Sequence, residues 1–183
     1  MVKGTKITKE DEALLLSFSN TAAVSSKSAT TLFGVMAIAA VAPPLYLLYG
    51  INQMDLWENG IVIAIAAVVG IYALFFAYKE MTQNYKPKVE RLREKAIAAE
   101  LNREFGDDKK ITKNEREERI LFKKSEHAAK EAAYFSILYN NALFTVLCLA
   151  ISFFLVPSFS ASLNTLVSVA GAGGLVALFS TAK

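Results

Sequence analysis

Residues 29–51, "ATTLFGVMAIAAVAPPLYLLYGI", run for 23 positions without one charged side chain. As a helix they would extend roughly 34 Å, enough to cross a bilayer. Three more uncharged stretches follow: "IVIAIAAVVGIYALFFAY" at 61–78, "YFSILYNNALFTVLCLAISFFLV" at 134–156, and "LNTLVSVAGAGGLVALFST" at 163–181. The apolar residues, 54% of the chain, are gathered into these blocks rather than spread at amphipathic spacing. Blocks near twenty residues long read as membrane spans, not as a soluble core. The fold class expected is therefore an all-α membrane protein with four transmembrane helices. The second block suits a thin bilayer, such as the ~27 Å hydrocarbon core of the ER. Pro43-Pro44 should kink or locally break the first span, and the third should stop at Pro157. Tyr46, Tyr49, Trp57, Tyr78 and Tyr134 fall at block ends, where amphipathic rings prefer to lie. A cleaved signal peptide is not expected: a polar leader of 28 residues precedes the first block, which exceeds a usual h-region, and no small-residue cleavage site follows it cleanly.

Charge then orients the spans. Of the twenty Lys and Arg, four lie in residues 1–28, fifteen in residues 79–133, and one is Lys183. The loops at 52–60 and 157–162 hold none. With four spans these two loops share one side, and the positive-inside rule puts every basic segment on the cytosolic side. The expected layout is a cytosolic segment at 1–28, a first pair of spans at 29–78, a cytosolic charged unit at 79–133 and a second pair at 134–183. Both termini are then cytosolic. No Asn-X-Ser/Thr sequon occurs, so nothing indicates a glycosylated external domain.

The charged unit carries fifteen bases against twelve acids. Gly106-Asp107-Asp108 supplies turn chemistry. Thr112 followed by Glu115 fits a capping box, which starts a helix near Lys113. Before the turn, Val89, Leu92, Ala96 and Ala99 recur at heptad spacing; after it, Leu121, Ser125, Ala128, Ala132 and Phe135 do the same. Two seams separated by a turn imply an antiparallel helical hairpin between the second and third spans. Its second arm should continue into the third span, and its first should bend or break near Pro87. The tip would stand roughly 30 Å above the membrane. Lys109, Lys110, Lys113, Arg116 and Arg119 cluster at or just past it. Two readings stand for these bases: a solvated face of mixed charge, or a dock for RNA phosphate, whose binding releases counterions. Anionic lipid is the poorer partner for bases held so far from the surface.

Catalytic chemistry finds little material, and no enzyme activity or cofactor is expected. His127, the sole histidine, sits beside Glu126 and Lys130 and reads as solvated rather than as a general base. "AGAGG" at 170–174 lies in an apolar block, so Gly171, Gly173 and Gly174 read as close helix-packing positions, not a phosphate loop. Asn140-Asn141 reads as an interhelical hydrogen-bonding pair, with a functional polar seam as the other possibility. Cys148, the single cysteine, reads as a small buried hydrophobe and precludes an intrachain disulfide. No ionisable group falls inside a block, which disfavours pumps and ion-coupled transporters. Asp55 and Glu58 read as solvated loop carboxylates.

The stretch "EERILFKKSEHAAKEAAYFSILYNNALF" at 117–144, with "SFFLVPSFSASLN" and the terminal "GLVALFSTAK", resembles the gamma-subunit family of the translocon-associated protein (TRAP) complex, also called the signal sequence receptor. "EDEALLLSFS", "MDLW" and "FAYK" are similar to the same family in the same order, so the resemblance spans nearly the whole chain. It implies four spans, as charge does. It further implies a non-enzymatic subunit in the ER membrane lipid, assembled with other TRAP subunits beside the Sec61 translocon. Its cytosolic helices would touch rRNA and protein of the large ribosomal subunit. Carried over by position, those contacts fall on Lys109, Lys110, Lys113 and Arg116, whereas Asn114 stands where a further base is expected. The competing class is an insertase of the Oxa1 type, which also places a cytosolic hairpin between spans but needs a polar groove in the membrane. Here only Asn140-Asn141 hints at one.

Overall fold

The computed structural model describes residues 9–92, residue 99 and residues 113–182, with side chains at 28–92 (Leu56 excepted), at 99 and at 122–182. The described residues form four long helices: α1, Lys9–Ile51; α2, Leu56–Leu92; α3, Lys113–Ala150; and α4, Ala161–Thr181. A single π-helical turn, Ile151–Leu155, extends α3. Each long helix contains an apolar stretch sufficient to cross a membrane: Ser28–Ile51, Trp57–Leu92, Phe122–Leu155 and Ala161–Thr181. All four expected spans are thus helices.

Neither proline site breaks its helix. Pro43 and Pro44 lie inside α1 without interrupting it, and Pro87 lies inside α2, which continues to Leu92. A proline removes one backbone donor and crowds one carbonyl. Neighbouring turns and packed helices can hold the remaining ladder, as is common in membrane helices. The third span ends just before Pro157, as expected, but its last turn is π-helical: regular helix stops at Ala150, and the wider turn runs to Leu155 with Val156 as its cap.

Helix α2 lies at the centre, packed on α4, α3 and α1. The core runs through Val41 and Leu48 of α1, Leu74 of α2, Phe144 and Cys148 of α3, and Val169 and Val176 of α4. Outward faces stay apolar: Val35, Val68, Leu138, Val146 and Leu178 are all exposed. Apolar side chains inside and out are what a helix bundle in lipid requires. Trp57, Tyr46 and Tyr134 are exposed near span ends. Tyr78 corrects the list of interfacial rings, because it is fully buried; its hydroxyl is held by a side-chain oxygen inside the bundle, a better site than the surface for a ring with a satisfied polar tip.

At the short connection between α1 and α2, Gln53 takes a left-handed φ of 47°. The Asp55 carboxylate then accepts from the Trp57 N–H at 2.9 Å, capping α2, so this loop acid has a structural use.

Beyond the bundle, α2 and α3 remain paired. Tyr78 meets Ser136, Tyr85 stacks on Phe135, and Val89 is buried with Ala128 and Ala132. Rising numbers on one helix meet falling numbers on the other, so the pair is antiparallel. Of the α2 series read from spacing, Val89 joins the seam, with Tyr85 beside it, and Leu92 and Ala99 do not. Leu92 is 81% exposed and Ala99 is also exposed. Beyond Ala128 the facing helix carries half-buried Ser125 among charged neighbours. Ala96, the side chain of Leu121, the Gly106-Asp107-Asp108 turn and the Thr112 cap lie outside the described residues.

Candidate functional site

The charged arm of α3 is one helix with the third span, without a joint between Lys113 and Ala150. Lys109 and Lys110 lie outside the described residues. Lys113, Arg116 and Arg119 stand on the first turns of α3 as backbone, their side chains likewise outside. Nearer the bundle, Lys130 pairs with Glu126 at 2.8 Å and Lys86 with Glu90 at 4.0 Å, both at helical i,i+4 spacing. Such exposed pairs contribute little to stability. His127 is exposed.

Where the arm enters the bundle, polar side chains converge. Asn140 is fully buried and touches three helices. Its amide donates to Ser136 Oγ at 3.2 Å and to Met81 Sδ at 3.4 Å, and its oxygen accepts from Ser180 Oγ at 3.0 Å. The neighbouring Asn141 oxygen accepts from the Tyr78 hydroxyl. Ser136 Oγ donates to the Tyr78 carbonyl at 3.0 Å. Asn84 Nδ2 donates to the Ser180 carbonyl at 3.2 Å, closing the last turn of α4 onto α2. Every one of these bonds is internal, so the asparagine pair ties helices together.

A second polar layer lies at the opposite end of the bundle, and the spacing of residues did not announce it. Asn164 is buried between α3 and α4. Its amide donates to the carbonyls of Ser152 at 3.2 Å and Val156 at 2.9 Å. Its oxygen accepts from Ser152 Oγ at 2.7 Å and Ser168 Oγ at 3.2 Å. The side chain therefore satisfies carbonyls at the π-turn, where a helix end would otherwise leave acceptors unpaired. Ser162 Oγ donates to Asn59 Oδ1, and Thr165 Oγ1 lies 3.3 Å from Met54 Sδ, linking α4 back to the start of α2. The signal available in sequence was Ser152, Asn164 and Ser168 inside apolar blocks.

The glycines divide. A Cβ on Gly173 would stand 2.9 Å from the Ala73 Cβ, and one on Gly171 would touch Ile151 at 3.4 Å. Gly174 faces open space. Gly70, which the pattern reading passed over, is as tight as Gly173: its Cβ would lie 2.9 Å from Val169 Cγ1 and 3.3 Å from Val41 Cγ2. Gly70 and Gly173 themselves approach closely, a Cβ on Gly173 falling 3.8 Å from the Gly70 Cα. Helices α2 and α4 therefore approach closely through one glycine from each.

Such an arrangement ties the four helices of the bundle together and extends two of them out of it. Among the described residues, no three His, Cys, Asp or Glu side chains come together as a metal site would need. Comparison with known proteins points the same way. The translocon-associated protein subunit gamma of Dictyostelium discoideum is 27% identical over 140 residues, covering 76% of this chain and 79% of that protein. The family described as "Translocon-associated protein, gamma subunit (TRAP-gamma)" matches residues 10–182, nearly the full length. With that match, this chain belongs to the TRAP-gamma family.

Proposed function

We propose that this protein is a non-catalytic, multi-pass subunit of the TRAP complex in the ER membrane. It anchors that complex beside the Sec61 channel and docks to the large ribosomal subunit through its charged helices, in support of co-translational translocation. Family membership supplies the translocon association. The observation that carries the docking reading is the continuity of α2 and α3 from apolar span into charged arm. From Tyr134 back to Lys113 the arm of α3 extends about 32 Å at 1.5 Å per residue. A jointless helix of that length transmits position; a flexible linker would not. All twenty bases avoid the two short loops, so the arms belong on the cytosolic face with both termini, where ribosomes are. The tip bases Lys109, Lys110, Lys113, Arg116 and Arg119 would meet rRNA phosphate, with ribosomal protein nearby. An Oxa1-type insertase is not favoured, because Asn140 and Asn141 spend their hydrogen bonds inside the bundle.

The test is a salt series. Attraction to phosphate weakens steeply with ionic strength, and each lost contact lowers the logarithmic slope by about one. Solubilised complexes carrying Lys109→Glu, Lys110→Glu and Lys113→Glu should bind ribosomes weakly with a flatter salt slope, while partner subunits still co-purify. The control reverses Lys3, Lys6 and Lys9. Equal loss in both triple variants would reduce the effect to bulk charge, and no loss in the tip variant would place docking elsewhere.

A further inference from the structure

One exposed feature is used by none of this. Three rings stack along the seam of α2 and α3: Tyr85 on Phe135 at 4.4 Å between centroids, and Phe135 on Tyr139 at 6.1 Å. The Lys88 ammonium lies 5.8 Å from the centre of the Tyr85 ring. Phe135 and Tyr139 remain 38% and 46% exposed, although their neighbours Ser136, Ile137 and Asn140 are buried. Lys88 is exposed. Unlike Lys86 and Lys130, it has no carboxylate within ion-pair distance among the described residues.

The height of this track identifies its partner. Helix α4 ends at Thr181, and its Ser180 carbonyl is held by Asn84 of α2. Asn84 therefore stands level with the end of the last span. Tyr85 sits at that level. Lys88 stands about 6 Å farther out, four residues on at 1.5 Å each, which is the headgroup layer. Tyr139, one turn of α3 inward from Phe135, faces the acyl region. An unpaired cation in the headgroup layer, over rings that descend toward the chains, matches one amphipathic molecule.

We infer that the Lys88–Tyr85–Phe135–Tyr139 track binds an anionic phospholipid, its phosphate on Lys88 and an acyl chain along the rings. The site rests on the bundle crossing a bilayer at this level, not on ribosome docking. In the topology proposed above it belongs to the cytosolic leaflet.

The full chain, reconstituted in phosphatidylcholine vesicles, is probed with spin-labelled phosphatidylserine or spin-labelled phosphatidylcholine, reading the motionally restricted fraction. Wild type should prefer phosphatidylserine. One lysine near the surface is worth about 1 kcal/mol toward anionic lipid, so Lys88→Gln should lower that preference about fivefold. Lys130→Gln, which removes an equal but paired charge, should leave it in place. Unchanged circular dichroism shows that both variants fold. Ribosome binding is measured on the same preparations, so that failure of docking is distinguishable from failure of the lipid site. An unaltered preference in Lys88→Gln, or equal loss in both variants, would overturn the site. Competition by soluble glycerophosphoserine as effective as by the lipid would reduce it to a phosphate site. Loss of ribosome binding in Lys88→Gln with lipid preference intact would assign the track to RNA instead.

Discussion

Gly173 and Gly174 are adjacent in sequence and differ entirely in what surrounds them. A methyl group on Gly173 would press on Ala73 at 2.9 Å, whereas one on Gly174 would meet nothing within 4 Å. Gly173→Ala should force α2 and α4 apart at a cost of about 1–3 kcal/mol, as overpacking does, and Gly174→Ala should be close to neutral. Adding Ala73→Gly to Gly173→Ala should recover much of the loss, a coupling that a double-mutant cycle of unfolding in bicelles would measure. Additive losses would show that the two positions do not touch. Asn164 makes the second case. Asn164→Leu keeps the volume and leaves the Ser152 and Val156 carbonyls without their partner. Interhelical hydrogen bonds in membranes are each worth about 0.6 kcal/mol, reaching ~1.7. With two carbonyls stranded, the variant should lose about 1–3 kcal/mol, read by the same unfolding assay.

Helix α3 carries two environments on one rod. Its inner half is uncharged and packs against α1, α2 and α4, and its outer half is charged and, among the described side chains, meets α2. What holds the outer pairing is a small contact: Val89, Ala128 and Ala132, with Tyr85 packed beside them. Small residues let the backbones approach but bury little apolar area, so the pairing leans on each position. Ala128→Asp sets a carboxylate where no side-chain exposure remains and should destabilise the pairing by about 2 kcal/mol or more. Lys130→Gln removes one exposed ion pair and should cost well under 1 kcal/mol. Limited proteolysis of the 79–133 segment separates the two: rapid cleavage in Ala128→Asp alone is the expected result, and equal cleavage in both would remove these alanines from the seam.

In the proposed topology, sidedness follows from four apolar helices and two loops without Lys or Arg. Single cysteines at Glu58 and Ser160 should be shielded from an impermeant thiol reagent in sealed microsomes, and one at Asp107 should react. For this assay Cys148, buried in the core, can remain as the background. Labelling of Glu58→Cys with protection of Asp107→Cys would invert the arrangement.

Much of this was legible without coordinates because span length, lack of charge and the segregation of bases are properties of contiguous residues. Helix boundaries in lipid follow from the need to satisfy the backbone internally, and 23 uncharged positions leave few alternatives. The family resemblance was equally local, carried by continuous stretches. Tertiary structure decided what spacing could not. Tyr78 looked like an interfacial ring until Asn141, 63 residues away, proved to hold its hydroxyl inside the bundle. Leu92 fitted a heptad, yet it is 81% exposed. Gly70 gave no motif, since its tightness depends on Val169 and Val41 from two other helices. Asn164 was one polar residue in an apolar run, and its role depends on a π-turn that exposes the carbonyls it binds. Composition settles whether a segment can leave water; which polar groups then meet is decided by helix rotation and register, which no single segment encodes.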